Sequence, residues 1–193
     1  MAKPNVIRKD DLIQCAKDCL VDKGIEKFTL KAVAETAGVT QGTVYYHFRT
    51  KEQLLIDIVQ DICENSWQEI SQSKEYVIEQ AIESAKSRCS SDSYFHKLFF
   101  LLVASSFKNE KIKCKLGEII TAENKALTEK LLNNWTVSPI EGVSIKTWAI
   151  FLNAIVDGLA LQALLQKDFP VDKTYKEFEQ LVKGLTTLCK EDH

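Results

Sequence analysis

Proline and glycine are scarce in this chain, with three and seven occurrences in 193 residues. Little stands in the way of long helices, because these two residues are the strongest helix breakers. Histidine is as scarce as proline: only His47, His96 and His193 occur. No G-x-S-x-G, phosphate-binding G-x-x-x-x-G-K or H-E-x-x-H pattern is present. Catalysis needs a positioned base and nucleophile, or a set of metal ligands, so an enzyme is only the remote alternative. The six cysteines (15, 19, 63, 89, 114 and 189) include no C-x-x-C pair. Cys15 and Cys19 share a helical face but have no histidine nearby, which argues against zinc; no metal and no cofactor are expected. The longest apolar run, Leu98 to Ala104, is far short of the ~20 residues of a membrane span. The start, MAKPNVIRKDDL, has no apolar signal region. The expectation is a cytoplasmic protein with reduced thiols and no membrane partner.

What is present is ordinary for a globular protein: 45% hydrophobic and 27% charged residues. The net charge of −2 is unevenly spread. Residues 1–51 hold nine Lys and Arg against six Asp and Glu, a net +3, and the remainder is net −5. A basic head on an acidic body suits phosphate contact at one end.

Helical periodicity runs through nearly every segment. Over about 8–23, Leu12, Ala16, Cys19 and Leu20 form one stripe that ends at Gly24. In 30–37, Leu30, Val33, Ala34 and Ala37 fit the i, i+3, i+4, i+7 spacing. Thr29 is placed as the N-cap, Phe28 can staple onto Val33, and Gly38 suits the left-handed C-cap. Thr40 caps a short helix reaching about Phe48, with Val39 stapled to Val44. Thr50-Lys51-Glu52-Gln53 reads as a capping box opening a long helix past Trp67, with Leu55, Ile58 and Ile62 on its inner face. Further helices are expected at roughly 76–89, 92–107, 110–134, 144–167 and 172–190. Their breaks are Ser90-Ser91-Asp92, Lys108-Asn109, the Ser138-Pro139 to Gly142 loop and Pro170. The fold class is therefore all-α with about nine helices. An N-terminal three-helix helix-turn-helix domain over 6–66 (motif 29–48) precedes a helical effector-binding and dimerisation domain over 67–193.

Two short helices joined by Gly38-Val39-Thr40 match a helix-turn-helix. With Val44 and Phe48 inward, Gly42, Thr43, Tyr45 and Tyr46 project outward and Gln41 leads the second helix. Gln and Thr read base edges; Tyr, His and Thr bond phosphates. The stretch FTLKAVAETAGVTQGTVYYHFRTKEQLL resembles the tetracycline-repressor (TetR) family of bacterial regulators. The matching features are Thr29, Val33-Ala34, Ala37-Gly38-Val39, Gly42, Val44-Tyr45, His47-Phe48, Lys51-Glu52 and Leu54. The resemblance covers about the first third of the chain. It implies that Thr29 caps its helix and touches a phosphate. Thr40, Gln41, Gly42 and Thr43 would lie at the major-groove end, with Gln41 reading bases. Tyr45, Tyr46 and His47 would hold the backbone and some bases, and Lys51 and Lys31 would bind phosphates. Two local alternatives stay open: His47 packing on Phe48, and Tyr45 sitting half in the core.

A helix-turn-helix of this kind reads two half-sites as a two-fold dimer, so the chain must supply a self-complementary surface. The last two helices are the candidates, with Phe151, Ile155, Gly158 and Leu159 on one and Phe178, Leu181, Leu185 and Leu188 on the other. As in the family, two such pairs would build an intersubunit four-helix bundle; the alternative is that both helices only cover the monomer core. The resemblance also implies a small-molecule pocket enclosed by the helices at 76–134. Tyr94, Phe95, Phe99, Phe100 and Val103 are its candidate lining, unless they are simply core. His96, Asn124, Asn153 and Asp157 are candidates to orient a ligand. The expected function is a DNA-binding repressor released from its operator by a small-molecule effector. A regulator controlled by thiol oxidation or a protein partner is the alternative.

Overall fold

The computed structural model describes residues 7–72, 77–89 and 94–189, and every regular element among them is a helix. In chain order these are α1 (Lys9–Lys23), α2 (Leu30–Ala37), α3 (Gln41–Phe48), α4 (Lys51–Gln72), α5 (Val77–Ser87), α6 (Phe95–Ser106), α7 (Glu110–Asn134), α8 (Ile145–Leu165) and α9 (Val171–Leu188). The all-α reading and its helix spacing hold. Residues 6, 76, 92–93 and 190–193, which lay at or near expected boundaries, fall outside the described residues, as does the whole Ser90-Ser91-Asp92 break.

Local chemistry accounts for most ends. Thr29 Oγ1 accepts from the Ala32 N–H at 3.0 Å, and Gly38 closes α2 at φ 65°, a left-handed conformation that glycine adopts without Cβ strain. Thr40 Oγ1 accepts from Thr43 N–H at 3.2 Å. Asn109 caps α7 by accepting from Lys111 and Ile112, and Ser144 caps α8 by accepting from Thr147. The box at Thr50 is only half formed. Gln53 N–H donates to Thr50 Oγ1 at 3.1 Å, but the Gln53 side chain reaches forward to Asp57 Oδ1 at 2.7 Å. An acceptor one turn ahead outcompetes the backbone N–H behind.

Two apolar cores share the intervening helices. The first joins α1–α4 to α6 and the first half of α7, with Leu12, Phe28, Val33, Val44, Phe48, Leu54 and Leu98 sealed from solvent. In α4, Leu54 to Val59 include six consecutive buried residues, so this helix is covered on more than one side. Lys9–Asp57 (2.7 Å) and Lys17–Asp61 ion pairs tie α1 to α4. The second core joins α5, the end of α7, α8 and α9 around Trp135, Leu131, Leu152, Tyr175 and Val182. Trp135 Nε1 donates to Thr186 Oγ1 at 2.9 Å, and Cys89 Sγ lies 3.1 Å from Tyr175 Oη. The expected boundary at 66/67 falls inside the continuous helix α4.

Candidate functional site

α2, the Gly38 turn and α3 present one polar face. Val44 and Phe48 are buried, which fixes the roll of α3 and sends the intervening residues outward. Thr29, Lys31, Thr40, Gln41, Gly42, Tyr45 and Tyr46 are exposed; Thr43, His47 and Lys51 are half-buried. Thr40 and Thr43 hydroxyls lie 3.0 Å apart at the open end of α3, beside Gln41. Tyr45 is exposed, so it belongs to the surface and not the core. His47 stands edge-on to Tyr46 and tilted against Phe48, with no carbonyl partner among the described residues. Lys51 is turned inward: Nζ donates to the Ile25 carbonyl at 3.2 Å and lies 5.7 Å from the Phe28 ring centre. Its ammonium braces the α1–α2 loop.

Arg49, absent from the sequence-based set, is the residue that completes this face. It sits at φ 64°, ψ −48°, and Thr50 N–H donates across it to the Phe48 carbonyl at 2.7 Å. That is a γ-turn of the rare, strained kind. The turn reverses the chain between α3 and α4 and lays the guanidinium over the rings of Tyr45 (5.5 Å) and Tyr46 (5.8 Å). A cation stacked on two exposed phenols offers planar donors to phosphate oxygens. The only sequence signal was its place as the first cation after α3.

The second feature is a cleft of about 850 Å³, counting the space open at its mouth. It lies between the two cores. Of the residues expected to form an effector pocket, Phe95, His96, Phe99, Asn153 and Asp157 line this cleft, and Tyr94, Phe100, Val103 and Asn124 do not. Tyr94, Phe100 and Val103 pack on the first core, and the Asn124 side-chain Oδ1 accepts from Asn153 Nδ2 at 3.1 Å. Burial raises the Tyr94 phenol to about 12. The walls also reach beyond 76–134, because α8 and α9 contribute Leu152, Val156, Phe178 and Val182. Phe178 and Leu185 are buried within the chain and so do not lie on its outer face, a correction to the expected dimer set. Periodicity identified the apolar stripe of α9 but not which side of α9 meets its own chain. Arg88 and Glu123 are the charged lining residues that sequence reasoning missed.

Phe151, Leu181 and Leu188 are exposed, while Ile155, Gly158 and Leu159 are half-buried beside them. Ile150, Leu161 and Leu165 extend this apolar face. α8, with a mean hydropathy of 1.7, is long and apolar enough to cross a membrane by length and composition. It nonetheless packs along α7 and places Asn153 and Asp157 at the cleft. Among the described residues, no three His, Cys, Asp or Glu side chains converge to hold a metal ion.

These features define an all-helical protein with a helix-turn-helix head and a hollow body. Residues 12–58 match the family described as bacterial regulatory proteins, tetR family, so the head is similar to that family. Over 54 residues it is 35% identical to the HTH-type transcriptional repressor KstR2 of Mycolicibacterium smegmatis. That match spans 28% of this chain and about a quarter (26%) of that relative's length. Among solved structures, a putative TetR-family transcriptional regulator from Rhodococcus sp. superposes with a TM-score of 0.68 at 17% identity. The match covers 92% of this chain and 97% of that one. The multidrug binding protein EbrR, solved with ethidium, superposes with a TM-score of 0.65 at 19% identity, covering 95% and 99%. The whole chain thus carries this fold.

Proposed function

We propose that this protein is a sequence-specific DNA-binding transcriptional regulator, a homodimeric repressor that a small molecule releases from its operator in the cytoplasm. The observation that carries the reading is the α3 face, where exposed Gln41, Tyr45 and Tyr46 meet Arg49 over a locked, capped helix pair. Gln41 and the Thr40–Thr43 end read base edges in the major groove. Thr29, Lys31, Tyr45, Tyr46, His47 and Arg49 bind the backbone. Lys51 joins them only if its ammonium leaves the Ile25 carbonyl.

The exposed apolar faces of α8 and α9 support the dimer, since contiguous surface of this kind marks an interface. The cleft supports the effector: it touches α6 of the first core and α8–α9 of the second, so an occupant that fits one spacing of the two better shifts their equilibrium. EbrR, of the same fold, holds a small molecule, which favours the same use here. Thiol control is the weaker reading. Burial raises Cys15, Cys63, Cys89 and Cys189 above the ordinary thiol range, which keeps them protonated and slow to oxidise.

Sequencing the genomic DNA that the purified protein retains tests the reading. Enriched fragments should share an inverted repeat with half-sites about one helical turn apart, or a multiple of it. Fragments without a common motif would overturn it.

A further inference from the structure

α7 packs along α4 and runs in the same direction, and three pairings fix its register. The Lys115 ammonium lies in the field of the Asp57 carboxylate. Glu123, whose carboxyl burial pushes above the usual range, meets the Cys63 thiol. Gln68 and Ala126 line the far end of the groove between the two helices. Asp57 to Gln68 and Lys115 to Ala126 are both steps of eleven positions, so the helices keep pace. Carried back at about 1.5 Å per residue, this register sets Lys111 level with Gln53. It brings the α6–α7 corner, residues 107–109, to the level of Arg49 and the start of α4. The body therefore reaches down to the plane of the DNA-binding face. Four lysines crowd this corner, Lys108, Lys111, Lys113 and Lys115, against Glu110 and Glu118. Lys113 pairs with Glu110, and Lys115 with Glu118. Lys108 and Lys111 are exposed, and their ammonium groups have no partner among the described residues. Two unanswered cations thus stand at the head end of a body that is otherwise acidic.

We infer that Lys108 and Lys111 form a second DNA contact, made by the body: they bind backbone phosphates beside those held by α3 and Arg49. The inference rests on the DNA-binding reading of the head. B-DNA carries one negative charge per ~1.7 Å of its axis, so cations at the level of α3 meet phosphates that flank its groove. A lysine ammonium is a point charge on a flexible stem, without the planar fork that matches a base edge. The corner therefore adds affinity and salt dependence and leaves sequence preference to Gln41 and its neighbours.

Titration of the full-length protein with a random-sequence duplex over a series of salt concentrations tests this. Lys108→Gln combined with Lys111→Gln should flatten the plot of log affinity against log salt by about 0.9 for each lysine in each bound protomer. Binding should weaken most at low salt, with melting unchanged because neither side chain has a partner to lose. On the genomic fragments that the protein retains, the variant should keep the wild-type base preference. Acetylation of the wild type gives a readout that stands if the variant folds poorly. DNA should shield Lys108 and Lys111 and leave Lys173, exposed on α9, as reactive as before. An unchanged slope, or equal reactivity of both lysines with and without DNA, overturns the inference and leaves the DNA-binding reading of the head intact. Phosphatidylserine vesicles that bind the wild type and not the variant, with the DNA slope unchanged, assign the corner to a membrane surface and overturn it likewise. If the wild type binds neither the random duplex nor any genomic fragment, both readings fail.

Discussion

In the head, Leu12, Ala16, Phe28, Val33, Val44 and Phe48 are sealed from solvent and the polar side chains of α2 and α3 face out. In the body that order is partly inverted. His96 lies inside, Glu123 and Asp157 flank the cleft, and Phe151, Leu165, Leu181 and Leu188 lie outside. The head is a closed solution to burying apolar surface, and its function sits on the outer skin. The body leaves apolar surface bare and polar groups inside, the surfaces that the proposed second copy and effector would cover. One chain thus pairs a closed head with a body that keeps apolar surface and a cleft open to solvent.

The sharpest way to break this contrast is to empty the closed core. Phe48→Ala should destabilise the protein by about 3–5 kcal/mol, read by denaturant unfolding. A much smaller loss would show that the head is not close-packed. Next is the open face of the body. Phe151→Glu combined with Leu188→Glu should leave a folded monomer in sedimentation and weaken operator binding by roughly a hundredfold, because half-sites are then bound singly. An unchanged dimer would place the interface elsewhere.

Gln41→Ala acts on the skin alone. It should relax base preference at one position per half-site, costing about 1–3 kcal/mol of affinity with no shift in melting. Uniform weakening on all sequences would remove Gln41 as a base reader. Gly42→Ala separates fold from function still more finely. An added Cβ meets only Thr40 Oγ1, at an ordinary 3.6 Å. Stability should hold or rise by roughly 0.5 kcal/mol, while operator affinity drops because the methyl occupies space at the groove end.

The smallest effect concerns Glu123. Its carboxyl is raised in the folded state, so its contribution to stability is fully present below the unfolded value and is lost as pH rises through the folded one. Without ligand, Glu123→Gln should melt like the wild type in acid and progressively above it as pH climbs past the ordinary carboxylate range. A constant gap across pH would mean that Glu123 stays well solvated.

The head was legible because its determinants are local. Thr29, Gly38 and Thr40 each act within a turn of themselves, and the 3.6-residue stripe orients Val33 and Val44 without reference to distant residues. Arg49 escaped notice because a γ-turn and a stack on two rings leave no periodic trace. In the body, the same stripe logic found α8 and α9 but assigned Phe178 and Leu185 to the outside. The apolar stripe of α9 spans a buried side with Phe178 and Leu185 and an exposed side with Leu181 and Leu188, and composition does not say which side meets its own chain. Glu123 and Arg88 come together across 35 positions, a distance at which no sequence spacing carries information.

The outward face of α8 has a consequence for dosage. Leu165 is 76% exposed, with Leu161 and Phe151 along the same side. If a second copy is what covers it, folding and pairing are linked by mass action, and the melting temperature climbs with protein concentration. At a few copies per cell the chain would spend part of its life with that face bare, open to chaperones and proteases. The level of the regulator would then be held from below by its own instability, and a newly made chain would last only once it had found its twin.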